Sequence, residues 1–220
     1  GRPTRARFAK REQGLSAPLG VERAKPLLLH PVLRIEPCTP IAVEQIADEF
    51  LKRFAAKVKS LPMGDPTKGN FPIGACVEEK TVAHVKELIS DATGKGATVL
   101  VGGKGPGGAF FEPTVIDGVQ KGMRIYGEES FGPIVGVLRA RDVDHAVELA
   151  NDSEYGLSAA VFSRNIDTAL SVAQRIDSGI CHINSPTVQD EAQMPFGGTK
   201  ASGVGRFGGK AGIAEFTDLR

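Results

Sequence analysis

Hydrophobic side chains recur at helical spacing around residue 50, where the pattern of the chain is most regular. They share one face of the predicted helix and are Val43, Ile46, Ala47, Phe50, Leu51, Phe54 and Val58. Acidic residues lie near the start of this stretch and basic residues near its end, which suits the helix dipole. The pattern predicts an amphipathic helix that ends before Pro62.

A second helical pattern covers about residues 78–93, and Gly94 is expected to follow that helix. The apolar run at 97–101 then predicts a short buried strand. Further strands are expected at 110–116, 134–138, 159–162 and 179–183, and further helices at 142–151 and 166–176. Because strands and helices alternate over the second half of the chain, the sequence predicts an α/β fold with a parallel sheet and crossover helices.

The composition is that of a soluble globular domain. The 220 residues are 41% hydrophobic and 24% charged, which is enough for one substantial core. No apolar run approaches the roughly 18 residues that span a bilayer, and charges interrupt any signal sequence near the N-terminus. We therefore expect a cytoplasmic protein without a membrane segment. The cysteines, Cys38, Cys76 and Cys181, are odd in number and lack CxxC spacing, so reduced thiols are expected.

Charge divides the chain into two parts. Residues 1–34 contain eight Lys or Arg and two Glu, a net charge of +6, whereas residues 35–220 contain nineteen Lys or Arg and twenty-four Asp or Glu, a net charge of −5. A basic arm for nucleic acid and an Arg-rich transit peptide are conceivable, but a leucine run and four prolines suit neither. We expect residues 1–40 to be a disordered or non-native leader and residues 41–220 to form the domain.

Two segments match the glycine pattern GxGxxG of dinucleotide-binding loops, at 103–108 and 203–208. Such a loop binds a pyrophosphate where a strand leads into it and a helix leaves it. A strand-like segment with a proline follows the first, and no strand is expected before the second. Neither segment is expected to bind phosphate.

Cys181 and His182 are adjacent, which suggests a nucleophile and its base. Neighbouring residues of a strand point to opposite faces, so these two cannot form a hydrogen-bonded dyad. His30, His84 and His145 have no mutual spacing typical of a metal site. No metal is expected.

Four blocks, in this order, resemble the aldehyde dehydrogenase superfamily. The blocks are 128–133 (Glu-Glu-Ser-Phe-Gly-Pro), 151–162 (which begins Asn-Asp-Ser-Glu), 194–209 (which begins Met-Pro-Phe-Gly-Gly) and 212–220. The resemblance covers about residues 41–220 and implies part of the α/β catalytic domain of such an enzyme. Residues 1–40 do not match.

The resemblance implies roles for three residues. Glu129 would accept hydrogen bonds from the nicotinamide ribose of NAD or NADP, Phe131 would pack beside the nicotinamide, and Phe196 would line the aldehyde site. From the residues alone, 128–129 could also be two solvated acids on a loop, and 195–198 a turn with one buried aromatic side chain.

Residues 179–194 resemble the aromatic-aldehyde branch of the family, the salicylaldehyde, vanillin and benzaldehyde dehydrogenases. The implied function is the oxidation of an aromatic aldehyde, a small molecule, to the carboxylic acid. The implied parent enzyme is a homo-oligomer. Lys200, Ser202 and Arg206 are expected to hold the loop and a subunit contact rather than to touch substrate.

The nucleophile of the family has no counterpart in the matching part of this sequence. The family's cysteine lies in a GQxC context about a dozen residues before the segment that matches 46–50, and counting back ends near Arg34. Cys38 lacks the flanking motif, so no catalytic residue is assigned and the isolated chain is expected to be inactive. Two alternatives are a non-catalytic interaction module and a nucleic-acid binder that uses the basic leader, although no aromatic residues alternate with those basic ones.

Overall fold

The computed structural model describes the backbone of residues 28–32 together with residues 39–188 and 191–218. The strands of these ranges are β1 (Leu28–Val32), β2 (Ile41–Val43), β3 (Thr98–Val101), β4 (Thr114–Asp117), β5 (Ile134–Ala140), β6 (Tyr155–Gly156), β7 (Ser158–Phe162), β8 (Ile180–Ile183) and β9 (Thr199–Lys200). The helices are α1 (Glu44–Lys59), α2 (Glu79–Gly94), α3 (Arg124–Gly127), α4 (Val143–Asn151), α5 (Ile166–Ala173) and α6 (Gly209–Ala214).

Seven strands form one sheet in the order β3-β4-β5-β2-β1-β7-β8, and β6 pairs with β9 apart from it. Strands β4, β5 and β2 are parallel, as are β7 and β8, while β1 is antiparallel to both of its neighbours and β3 is antiparallel to β4. The predicted α/β fold is therefore confirmed with a mainly parallel sheet. The sheet is mixed rather than wholly parallel because β1 runs against both of its neighbours and because β3 reaches β4 through a loop instead of a crossover helix.

The helices cover both faces of this sheet. On one face, α1 buries Ile46 and Leu51 in a cluster that includes Val115 of β4 and Val137 of β5. The next residue along β4, Ile116, belongs instead to a cluster with residues of α2, α4 and α5. Because successive residues of a strand point to opposite faces, the two clusters lie on opposite sides of the sheet.

Two local predictions around α2 and β3 are wrong. The helix continues through Gly94, and the left-handed residue is Gly96, with a φ of 99°. Strand β3 was predicted to be buried, but its residues are alternately exposed and half-buried, and Leu100 is 39% exposed. The reason is its place at the edge of the sheet, where a strand has one neighbour.

Strand β1 lies within the segment 1–40 that was expected to be a disordered leader. Its backbone pairs with β2 at Leu28↔Ala42 and with β7 from Leu28↔Phe162 to Val32↔Ser158, so at these five residues the structure departs from that expectation. The strand fills the space between β2 and β7, two strands that each offer an edge there. Residues 1–27 and 33–38 lie outside the described part of the chain, and the division at residue 40 stays a prediction.

Among the described residues, no helix is both long enough and apolar enough to cross a membrane.

Candidate functional site

The residues 128–133 form a turn between α3 and β5. We call it the 128–133 turn. On the strand side, two backbone hydrogen bonds hold it: Ile134 N donates to Gly132 O at 2.8 Å, and Thr114 N donates to Pro133 O at 2.8 Å. The turn is thereby fixed to the amino ends of β4 and β5, and it carries both residues that the sequence assigned to the cofactor.

Phe131 adopts an uncommon backbone conformation for a residue with a side chain. Its φ is 46°, in the left-handed region, and its side chain is 61% exposed. A bulky residue in that region is strained, and such strain concentrates at functional sites where the surrounding structure maintains it. A strained residue with an exposed aromatic ring is therefore a candidate for ligand binding.

The 128–133 turn and the start of α2 border an open surface pocket of about 280 Å³. Its lining residues are Glu78, Lys80, Thr81, His84, Glu129, Ser130 and Phe131. The Oε1 atom of Glu129 is buried. The structure thus brings Glu129 and Phe131 together in one pocket.

Sequence reasoning missed the contribution of α2 to this pocket. His84 Nε2 lies 3.1 Å from the backbone oxygen of Glu129, 45 residues away in the chain. Next to it, Val85 packs so closely on Gly132 that a Cβ atom there would collide with the valine side chain. Val85 is a buried residue of α2, and the helical pattern over 78–93 did not indicate which loop it would contact.

The two adjacent acids of the turn have different environments. Arg124 donates to Glu128 twice, from Nε to Oε1 at 2.7 Å and from Nη2 to Oε2 at 2.9 Å. These hydrogen bonds from Arg124 are the main cause of the lowered pKa of Glu128. Glu128 therefore ties the turn to α3, whereas Glu129 is the acid that lines the pocket.

Phe196 lies in the block 194–209 and is not among the residues that line the pocket. It forms an antiparallel bridge with Phe207, with N–O distances of 2.7 and 2.8 Å, and the two ring centroids are 4.9 Å apart. Phe196 is half-buried and Phe207 is 62% exposed. The pair presents aromatic surface at the edge of residues 194–209, which we call the glycine-rich loop.

Polar side chains hold that loop to the body of the domain. Lys200 Nζ donates to Asn151 O at 3.0 Å, and Gly156 N donates to Ser202 Oγ at 3.0 Å, whereas Arg206 Nη1 donates to Gly198 O at 2.9 Å within the loop itself. These contacts agree with the prediction that Lys200, Ser202 and Arg206 hold the loop, and the predicted subunit contact stays a prediction.

The described thiols are poor nucleophiles. Burial raises the pKa of Cys181 to about 11, and burial also raises the pKa of Cys76. With raised pKa values, both thiols are almost entirely protonated near neutral pH. Because the thiolate is the reactive form, neither thiol is a good nucleophile. Cys181 packs on the core face of β8, and the neighbouring His182 has a buried Nε2 that finds no hydrogen-bond partner within the described ranges.

The residues that the structure describes also contain no cluster of His, Cys, Asp and Glu that could hold a metal ion.

Comparison with protein families gives a match over most of the chain. The model described as "Aldehyde dehydrogenase family" matches residues 38–220. The predicted resemblance is confirmed, and the match begins close to the predicted boundary at residue 41.

Individual proteins give the same result. The chain is 53% identical over 176 residues to a vanillin dehydrogenase of Pseudomonas fluorescens, covering 80% of this chain and 36% of that protein. It is 48% identical to the crystal structure of a salicylaldehyde dehydrogenase from Pseudomonas putida G7 complexed with salicylaldehyde, with a TM-score of 0.77 over 82% of this chain and 37% of that one. The chain therefore spans little more than a third of the length of these relatives.

Relatives with both nicotinamide cofactors occur among the matches. A betaine aldehyde dehydrogenase from Staphylococcus aureus, solved in complex with NAD+, is 37% identical with a TM-score of 0.74, covering 80% of this chain and 36% of that one. A succinate-semialdehyde dehydrogenase of Deinococcus radiodurans is named for NADP(+). The predicted choice, NAD or NADP, agrees with these relatives.

Proposed function

We propose that this chain, which belongs to the aldehyde dehydrogenase family, supplies the nicotinamide-ribose contact and part of the aldehyde site of an enzyme that oxidises aromatic aldehydes to carboxylic acids. The observation that carries the proposal is the pocket in which Glu129 and Phe131 lie together. We use the term intact enzyme for a chain of the relatives' full length that contains residues 41–220.

The residues of the pocket suit the nicotinamide end of NAD or NADP. A carboxylate accepts hydrogen bonds and donates none, which suits the hydroxyl donors of a ribose. Thr81 and the exposed Phe131 line the same pocket. When bound, the cofactor would accept the hydride from the substrate, while Glu129 would hold the ribose and Phe131 would limit how the nicotinamide ring turns.

An aromatic substrate is the class that the relatives and the Phe196–Phe207 pair favour. Two of the similar proteins are named for vanillin and salicylaldehyde, both aromatic aldehydes. Aromatic rings pack well in tilted arrangements, and a tilted pair already exists between Phe196 and Phe207. We assign Phe196 to the wall of the aldehyde site. The homo-oligomeric state and the cytoplasmic location stay predictions.

The chain alone is proposed to lack the reaction's nucleophile. Aldehyde oxidation by this route needs a thiolate that attacks the aldehyde carbon before the hydride leaves. The raised pKa values of Cys76 and Cys181 make both thiols unsuitable, and Cys38 lies outside the described residues and lacks the family's flanking motif.

Enzyme assays test this proposal directly. The intact enzyme should reduce NAD+ or NADP+ with benzaldehyde or salicylaldehyde, and the 220-residue chain should not. Turnover by the 220-residue chain that survives the combined change of Cys38, Cys76 and Cys181 to alanine would show a different mechanism. Turnover that is lost with Cys38→Ala alone would identify Cys38 as the nucleophile.

Changing Phe196 to alanine should weaken the binding of aromatic aldehydes. Loss of the ring contact is worth about 0.5–1.5 kcal/mol beyond the buried area, so the KM for salicylaldehyde in the intact enzyme should rise by roughly 2- to 12-fold. Steady-state kinetics with an aliphatic aldehyde of similar size provides the control. An equal rise in KM for both substrates would remove Phe196 from the proposed aromatic site.

A further inference from the structure

We propose that His84 is a positioning residue, which holds the 128–133 turn so that the Glu129 carboxylate and the Phe131 ring aim the nicotinamide. The inference rests on the proposed function, since it concerns the same pocket. Its observation is the hydrogen bond from His84 Nε2 to the backbone oxygen of Glu129, 3.1 Å long and partly buried.

The bond fixes the orientation of one peptide group. A carbonyl oxygen can only accept, so the Nε2 of His84 carries the hydrogen. This donor is present in the imidazolium and in one neutral tautomer, and the contact therefore needs no particular charge on the ring. With the carbonyl of Glu129 held, the peptide plane between Glu129 and Ser130 cannot rotate freely, and the direction of the Glu129 side chain is restricted.

Helix α2 holds the turn at two adjacent residues. Val85 packs on Gly132 at one end of the turn, and His84 binds the carbonyl of Glu129 nearer the other end. Between these two attachments lies Phe131 with its φ of 46°. A strained residue returns to a more common conformation unless its neighbours prevent it. Two attachments from one rigid helix provide that constraint.

The polar groups around His84 come from both sides of the pocket. Glu78, which precedes α2, and Lys80 line the same pocket, and Glu128 is bound by Arg124. His84 is the residue of α2 whose side chain lies within hydrogen-bond distance of the Glu129 carbonyl.

Hydrogen exchange on the 220-residue chain tests the positioning role without any cofactor. His84→Ala should speed the exchange of the amides of residues 129–132 and 134 by about tenfold, since local opening becomes easier when the turn loses an attachment. His84→Gln keeps an N–H donor on a side chain of similar reach and should restore most of the protection. His145→Ala is the matched control, because His145 is also a helical histidine with a backbone hydrogen bond, in which its Nδ1 accepts from Arg141 N at 3.1 Å, and it does not line the pocket.

Kinetics of the intact enzyme provide the second measurement. His84→Ala should lower the rate of hydride transfer by roughly tenfold, through a misplaced nicotinamide, while the Kd of the cofactor changes by less than about threefold. His84→Gln should recover most of the rate. Unchanged exchange in His84→Ala, or a glutamine variant as impaired as the alanine variant, would overturn the inference. If the exchange results hold but Glu129→Gln leaves hydride transfer unchanged, the positioning contact stands and the proposed function of Glu129 fails.

Discussion

Replacing Glu129 by glutamine should slow hydride transfer in the intact enzyme by about 100-fold. Glutamine keeps the size of the side chain but loses one of the two acceptor oxygens, so the ribose is held less firmly and the nicotinamide moves relative to the aldehyde carbon. A displacement of about 1 Å costs on the order of 100-fold in rate. Most of the cofactor lies beyond this contact, and its Kd should therefore change much less than the rate. Single-turnover kinetics and a cofactor titration measure the two quantities.

The neighbouring residue supplies a matched control for that change. Glu128→Gln removes the same charge one position away, but Glu128 binds Arg124 on the outside of the turn and does not line the pocket. Its rate of hydride transfer should stay within about threefold of the unchanged enzyme, since exposed ion pairs contribute little. Equal effects of the two substitutions would mean that Glu129 acts through the charge of the loop and not through the ribose.

The amphipathic helices could be predicted closely because their signal is local. The helix predicted from the apolar positions 43–58, with its end before Pro62, is Glu44–Lys59, and the one predicted over 142–151 is Val143–Asn151. In the second helix, Asp142 accepts a hydrogen bond from His145 N at 2.8 Å. Aspartate is a preferred N-cap residue, and this bond caps the amino end of α4. A period of 3.6 residues and a cap are both visible within one short window of sequence.

The arrangement of the strands could not be predicted in the same way. Leu28–Val32 pairs with β7, more than a hundred positions later in the chain, as well as with the nearby β2, and no local period reveals this arrangement. The edge position of β3 likewise follows from the order of the whole sheet, and the apolar run at 97–101 looks the same in an edge strand and a central one. Sequence patterns indicate which face of a helix or strand is buried, but they do not indicate which other element packs or pairs with it.

The candidate site could be predicted only in part. Glu129 and Phe131 were assigned by their resemblance to a family, and the structure brings them into one pocket. The α2 side of that pocket, including Thr81 and His84, was missed because it comes from a helix 45 residues before the turn, where both polar side chains are half-buried beside the apolar face. A polar residue on an amphipathic helix gives no local signal that distinguishes a binding residue from a solvated one.

Alanine at Gly179 should destabilise the domain by about 2–3 kcal/mol and detach the loop that carries Phe196. A Cβ atom there would overlap the carbonyl oxygen of Gly197 and lie 2.9 Å from the Cα atom of Gly198. All of these are backbone atoms, which cannot move aside as the end of a side chain can, so the cost of overpacking falls at the upper part of its usual range. For a domain of this size the melting temperature should fall by roughly 4–12 °C.

Gly94→Ala separates this steric effect from the general effect of replacing a glycine. Gly94 is the last residue of α2, and a Cβ atom there would meet nothing within 4 Å. Alanine is the better helix former, so this variant should be unchanged or stabilised by up to about 1 kcal/mol. Limited proteolysis should then cut residues 191–208 faster in Gly179→Ala alone. If the two variants melt at the same temperature and are cut at the same rate, the contact between Gly179 and the loop does not hold Phe196 in place.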